Sequence, residues 1–179
     1  AVTFLCGMIT SLVEIVCFEL THGKILGNDT SFLFASNSVE KEDVSVNIDV
    51  DETGNTFHQN ALIKANEYYK LAKIPTISED SGLEVLKLDG EPGIYSARYG
   101  GDLLNDNQRV DLILEKLLKV PSNKRQARFI SVICGVGFSD EPIYSEGILE
   151  GFISKKKEGN SGFGSVSYTH LRAHETHID

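Results

Sequence analysis

Residues 51–99 gather, within one short stretch, side chains that handle phosphate through a metal ion. They are Glu52 ahead of the Gly54 turn, Asn60 and Lys64, then Glu79, Asp80, Ser81 and Gly82, and finally Arg98 within G-I-Y-S-A-R-Y. Carboxylates bind magnesium, lysine and arginine hold phosphate oxygens, and amides beside small residues donate to those same oxygens. Asn60 and Lys64 have the i, i+4 spacing that places two side chains on one helix face. Each residue alone has a plainer reading. Asp80 before Ser-Gly is a turn aspartate bonded to its own backbone, Lys64 a solvated helix lysine, and Arg98 a brace for the carbonyls of a glycine loop.

The order of three blocks decides between these readings. D-E-T-G-N-T-F-H-Q-N-A-L-I-K-A is followed by I-S-E-D-S-G-L-E-V and then by G-E-P-G-I-Y-S-A-R-Y. S-E-D-S-G by itself occurs in many loops, but the three together, over residues 51–164, resemble the inosine triphosphate pyrophosphatase family. That family hydrolyses non-standard purine nucleoside triphosphates (those of inosine, deoxyinosine and xanthosine) to the monophosphate and pyrophosphate, cleansing the nucleotide pool.

The resemblance implies a role for most of these residues. Asp80 matches the family's essential aspartate, a metal ligand and the base for water; Glu52 matches a glutamate that completes the magnesium site, and Glu79 stands where the family usually has another acid. Lys64 matches a substrate-contacting lysine and Ser81 a phosphate or metal-shell contact; beside them, the residues themselves offer the Gly82 backbone amide as a phosphate donor and Asn60, four residues before Lys64, as a hydrogen-bonding support. Arg98 leans towards phosphate binding. Gly162, Phe163 and Gly164 match the start of the loop that holds the base, where Phe163 either stacks on a purine or packs into the core. The expected cofactor is Mg2+, and the expected assembly a homodimer of elongated, two-lobed α/β subunits with a cleft between the lobes.

Composition agrees with an enzyme of this size. A chain of 179 residues, 41% hydrophobic and 24% charged, suits one domain with a real core. A formal net charge of −9 disfavours a nucleic-acid polymer as partner. Cys6, Cys17 and Cys134 are widely spaced in apolar runs, so buried free thiols and a reducing cytoplasm are expected. The opening run, residues 1–20, lacks a positive n-region and contains Glu14 and Glu19, so neither a membrane span nor a signal peptide is expected. Lys155, Lys156 and Lys157 read as a solvated rim that draws an anion inward.

Both ends depart from the family. It opens with a strand and a T-x-N-x-x-K phosphate loop, for which T-H-G-K at residues 21–24 and A-S-N-S-V-E-K at residues 35–41 are imperfect candidates. After its G-F-G the family continues with Y-D-P and a helix bearing a lysine and Ser-His-Arg, none of which follows Gly164. The segment V-S-Y-T-H-L-R-A-H-E-T at residues 166–176 instead resembles a translated sequencing adapter. H-E-T-H at residues 174–177 lacks the i, i+4 histidine spacing of a zinc helix. The expected organisation is one pyrophosphatase domain over residues 1–164, with residues 1–50 poorly matched and frame-disturbed, and an artefactual tail over residues 165–179. Two rivals follow: a truncated product that at most binds nucleotide, and a Maf-type nucleotide pyrophosphatase, against which T-F-x-x-N-A and S-A-R-Y argue.

The elements that must position these residues follow from periodicity. Thr56 and Gln59 have capping-box spacing, and Phe57, Ala61, Ala65, Tyr68 and Ala72 repeat at helical intervals. Pro75 leads into a short strand through Ile77, a turn over residues 79–82, and a second strand over residues 83–88. Asn105 with Gln108 caps a second helix whose Val110, Ile113, Leu114, Leu117 and Leu118 form a core stripe. Residues 129–138 and 143–153 then read as strands of one hairpin. Helices interleaved with strands give a mixed α/β central sheet flanked by helices.

Overall fold

The computed structural model describes residues 33–35 and 50–157. Within them a four-stranded sheet has the order β1-β2-β3-β4, with β1 Leu33–Ala35, β2 Thr76–Val85, β3 Gln126–Val136 and β4 Ile143–Phe152. β1 runs parallel to β2, and β2, β3 and β4 run antiparallel in sequence. The fold is the mixed α/β sheet expected. Among the described residues there is one sheet.

Helix α1, Phe57–Ala72, starts where its cap predicts: Thr56 is extended at φ −140° and its hydroxyl accepts from Gln59 N. The reciprocal arm is displaced by one residue, because Gln59 Oε1 accepts from Asn55 N at 2.7 Å rather than from the cap residue itself. At the other end Lys73 turns left-handed at φ 58° and donates its N–H to Tyr69 O, closing the last turn. Phe57, Asn60, Ala61, Ala65 and Tyr68 form its buried face. The small alanines bring the helix axis close to the sheet, where Phe57, Ala61 and Ala65 pack on Ile130, Val132 and Cys134.

Helix α2, Asp106–Lys116, carries both arms of the capping box expected for Asn105 and Gln108. It covers the opposite sheet face, with Ile113 and Leu117 against Leu83, Val85, Ala127 and Ile153. Leu118, expected in the core stripe, is 76% exposed because the helix has ended at Lys116 and the chain turns away. Arg125, only 3% exposed, closes that end by donating to Leu117 O, Val120 O and Ser154 O.

The main departure from expectation is β2. Residues 79–82 form no turn: the strand runs unbroken through them for 10 residues, paired with β3 from Thr76↔Val136 to Val85↔Ala127. It ends at Val85, and Leu86–Leu88 is a short 3-10 turn rather than more strand. Asp, Ser and Gly are poor strand formers in isolation, but strand propensity yields to burial and partner bonding. Here Ser78 and Glu79 find their partners across the fold: Ser78 Oγ donates to Ala61 O of α1 at 2.5 Å, and Glu79 Oε1 accepts from Ser131 Oγ of β3.

Candidate active site

Successive side chains of a strand point to opposite faces, and this pleat sorts the S-E-D-S-G residues. Ser78, Asp80 and Gly82 face α1; Glu79 and Ser81 face the other way. The Ser78 bond to Ala61 O fixes the first set, and Ser131 Oγ, which donates to Glu79 Oε1 at 3.0 Å, fixes the second. The expected convergence of Glu52, Glu79 and Asp80 therefore becomes a pair, Glu52 and Asp80. From Glu79 only the backbone carbonyl reaches the site, where Lys64 Nζ donates to it at 3.0 Å.

The α1 face of the strand carries the cluster. Lys64 Nζ lies 2.7 Å from Glu52 Oε1, with the two side chains 13% and 21% exposed. Arg98 NH1 stands 3.5 Å from Glu52 Oε2, and its guanidinium lies 5.3 Å over the ring of Tyr95. Asn60, fully buried, accepts from Gly54 N at 2.8 Å and so holds the turn that carries Glu52. The approach is tight: a Cβ on Gly54 would lie 2.6 Å from Asn60 Oδ1.

Asp80 sits behind this ion pair, 8% exposed. Its Oδ2 is buried without a hydrogen-bond partner, as is Asn60 Nδ2. The Asn60 amide lies against the carboxyl and favours its charged form, but neither atom completes a bond of proper geometry. Burial first, then the Glu52 charge, push Asp80 from 3.8 up to about 6, with Lys64 and Asn60 opposing. A buried carboxylate oxygen with no well-formed hydrogen bond, beside a second carboxylate, is short of positive charge or of a donor.

That shortage is the test of the residues against magnesium, and Glu52 with Asp80 pass it as a pair. Among the described residues no group of at least three histidines, cysteines or acids could hold a metal ion. Magnesium does not need one, since it is commonly held by one or two carboxylates together with water and substrate phosphates.

Gly82 has a structural duty of its own. A Cβ there would come within 2.5 Å of Gly93 O and 2.6 Å of Ser96 Oγ. The bare backbone thus admits the 3-10 turn Gly93–Arg98 that carries Arg98. The far side of that turn is tied to α2, where Lys116 Nζ donates to Glu91 Oε2 at 2.7 Å and to the Tyr99 hydroxyl at 2.6 Å. Reading the sequence missed Ser96 and Ser131; their small polar type was the only signal, and both act through partners distant in the chain. Phe163 and Gly164, with Gly162, lie outside the described residues, as do Cys6, Cys17, residues 21–24 and the tail. Cys134 is buried and free, as expected.

Comparison with known proteins supplies the family. The chain matches the model of the Ham1 family over residues 21–166, so the match begins well before the motif-bearing stretch and takes in part of residues 1–50. It is 42% identical over 137 residues to the dITP/XTP pyrophosphatase of Clostridium perfringens, across 73% of this chain and 67% of that protein. To the dITP/XTP pyrophosphatase of Oceanobacillus iheyensis it is 41% identical over 116 residues, across 65% of this chain. The chain spans 59% of the length of that relative. The solved Ham1 protein of Staphylococcus aureus superposes with a TM-score of 0.67 at 35% identity, across 75% of this chain and 77% of that one. With the family model covering most of its length and these likenesses agreeing with it, the chain belongs to the Ham1 family.

Proposed function

We propose that this chain belongs to a nucleoside triphosphate pyrophosphatase that hydrolyses non-standard purine nucleotides, of the dITP, XTP and ITP class, to the monophosphate and pyrophosphate. The observation that carries the reading is the buried, unpartnered Oδ2 of Asp80, set behind the Glu52–Lys64–Arg98 cluster. The names of the Clostridium and Oceanobacillus relatives support the substrate class.

In this reading Glu52 and Asp80 would hold a magnesium ion, which would supply charge neutralisation on the phosphate oxygens. Lys64 exchanges part of its contact with Glu52 for a phosphate oxygen, keeping its bond to Glu79 O as a fixed tether. Arg98, 38% exposed on its side chain, contributes a second cation from the opposite side. Asp80 orients a water and accepts its proton as the oxygen attacks the α-phosphorus; the bond to the bridging oxygen breaks and pyrophosphate leaves. In the metal-free site burial and Glu52 hold this carboxyl up at about 6, and a bound cation would lower it towards the charged, proton-accepting form. Asn60 keeps the Glu52 turn in place throughout.

The reading includes a homodimeric assembly and a cytoplasmic setting, the latter supported by the buried free thiol of Cys134. No helix among the described residues is long and apolar enough to cross a membrane. Asp80→Asn tests the assignment: it keeps shape and removes the base, and turnover should fall by at least about 100-fold, the usual worth of a general base. Undiminished turnover in that variant would remove Asp80 from the mechanism.

A further inference from the structure

We infer that Ser96 is a positioning residue for phosphate binding, pinning the turn that presents Arg98 to the site. The inference rests on the phosphate-binding part of the proposed function. Among the described residues β1 pairs with β2 only opposite Thr76, Ile77 and Ser78, so among them the outer edge of β2 beyond that point finds other partners. At Leu83 the partner is a side chain: Ser96 Oγ accepts from Leu83 N at 2.9 Å and donates to Gly93 O at 2.6 Å. Donor and acceptor roles are both used, which fixes the hydroxyl in one orientation and locks the first residue of the turn to the strand.

The next strand residue inward is Gly82, whose missing side chain lets Ser96 Oγ and Gly93 O approach as closely as they do. Two residues after Ser96, Arg98 reaches Glu52 at 3.5 Å, a loose contact for an ion pair. A guanidinium held this loosely by its own partner depends on its backbone for placement, and Ser96 supplies that placement from within the same turn. Without the hydroxyl, Leu83 N–H loses this partner, Gly93 O loses its link to the strand, and the turn is free to lift.

The test is a double-mutant cycle on the full chain, with tripolyphosphate as the probe and its dissociation constant read by calorimetry in magnesium. Ser96→Ala should weaken binding roughly 3- to 10-fold, the scale of a lost hydrogen bond. In an Arg98→Ala background it should add nothing, because the residue it positions is gone. Unchanged binding in Ser96→Ala, or losses that add in the double variant, would overturn the inference, since a merely structural serine is indifferent to Arg98. If Ser96→Ala fails to fold, Ser96→Cys takes its place, keeping the size with a weak acceptor; it should show a smaller loss, again absent without Arg98, and additivity there refutes the inference equally. A wild-type chain that does not bind tripolyphosphate overturns it too. Pyrophosphate release from inosine triphosphate, measured on the same proteins, separates the two claims: binding with a coupled cycle but no release defeats the proposed activity and leaves the role of Ser96 intact.

Discussion

Asp80→Asn should make the metal-free protein more stable at neutral pH, and by an amount that vanishes in acid. Burial and the Glu52 charge hold the Asp80 carboxyl at about 6 against 3.8 for an ordinary aspartate. Below pH 3.8 the group is neutral in both folded and unfolded chains and costs nothing. Between 3.8 and about 6 the unfolded chain gives up its proton while the folded chain keeps it, so stability falls as pH rises; above about 6 the full cost is present and constant. At about 1.4 kcal/mol per pH unit this amounts to about 3 kcal/mol. The amide leaves some buried polar atoms unsatisfied, so a net gain of about 1–3 kcal/mol is expected. For a chain of this size that raises Tm by roughly 3–10 °C. Thermal melts of wild type and Asp80→Asn in a chelating buffer at pH 7.5 and pH 4 would measure it. A stability difference between variant and wild type that is the same at both pH values, or a variant less stable than wild type at pH 7.5, would refute the argument that Asp80 carries a buried, uncompensated charge.

Other perturbations read other parts of the site. Magnesium, titrated into wild type, should raise Tm as binding to the folded state alone does, and should do so far less in Asp80→Asn; equal shifts would move the metal elsewhere. Lys64→Ala removes the charge that opposes the elevation of Asp80, so the acidic limb of the pH–rate profile should move to higher pH and KM should rise; an unmoved limb would detach Lys64 from Asp80. Glu79→Gln should lower kcat by less than about 3-fold, because its carboxylate lies on the far sheet face with Ser131 and the change keeps that hydrogen bond, whereas Glu52→Gln should weaken magnesium activation; a Glu79 loss as large as that of Glu52 would contradict the pairing. Gly82→Ala should destabilise by about 1–3 kcal/mol in chemical denaturation, as overpacking against Gly93 O and Ser96 Oγ does; a neutral result would mean the turn can move aside.

What could be read without the structure was what is locally encoded. The α1 and α2 starts were legible because Thr56, Asn105 and Gln108 act within one helical turn of themselves. The β3–β4 hairpin was legible from its apolar runs. The continuity of β2 was not, because its polar residues look like a turn until Ala61 O and Ser131 Oγ, both remote in sequence, are known to satisfy them. The identities of Glu52, Lys64, Asp80 and Arg98 followed from resemblance, but their arrangement did not. The pleat that turns Glu79 away needs the strand, and the contact of Arg98 with Glu52 joins residues 46 positions apart. Ser96 was invisible for the same reason: its partner Leu83 lies 13 residues upstream on a strand edge.

The central claim is tested most directly by pyrophosphate release from inosine triphosphate, with adenosine triphosphate as control, by the purified chain with and without magnesium. The account predicts magnesium-dependent release that favours inosine triphosphate. A folded chain that binds the nucleotide and releases no pyrophosphate, or that treats the two nucleotides alike, would contradict it.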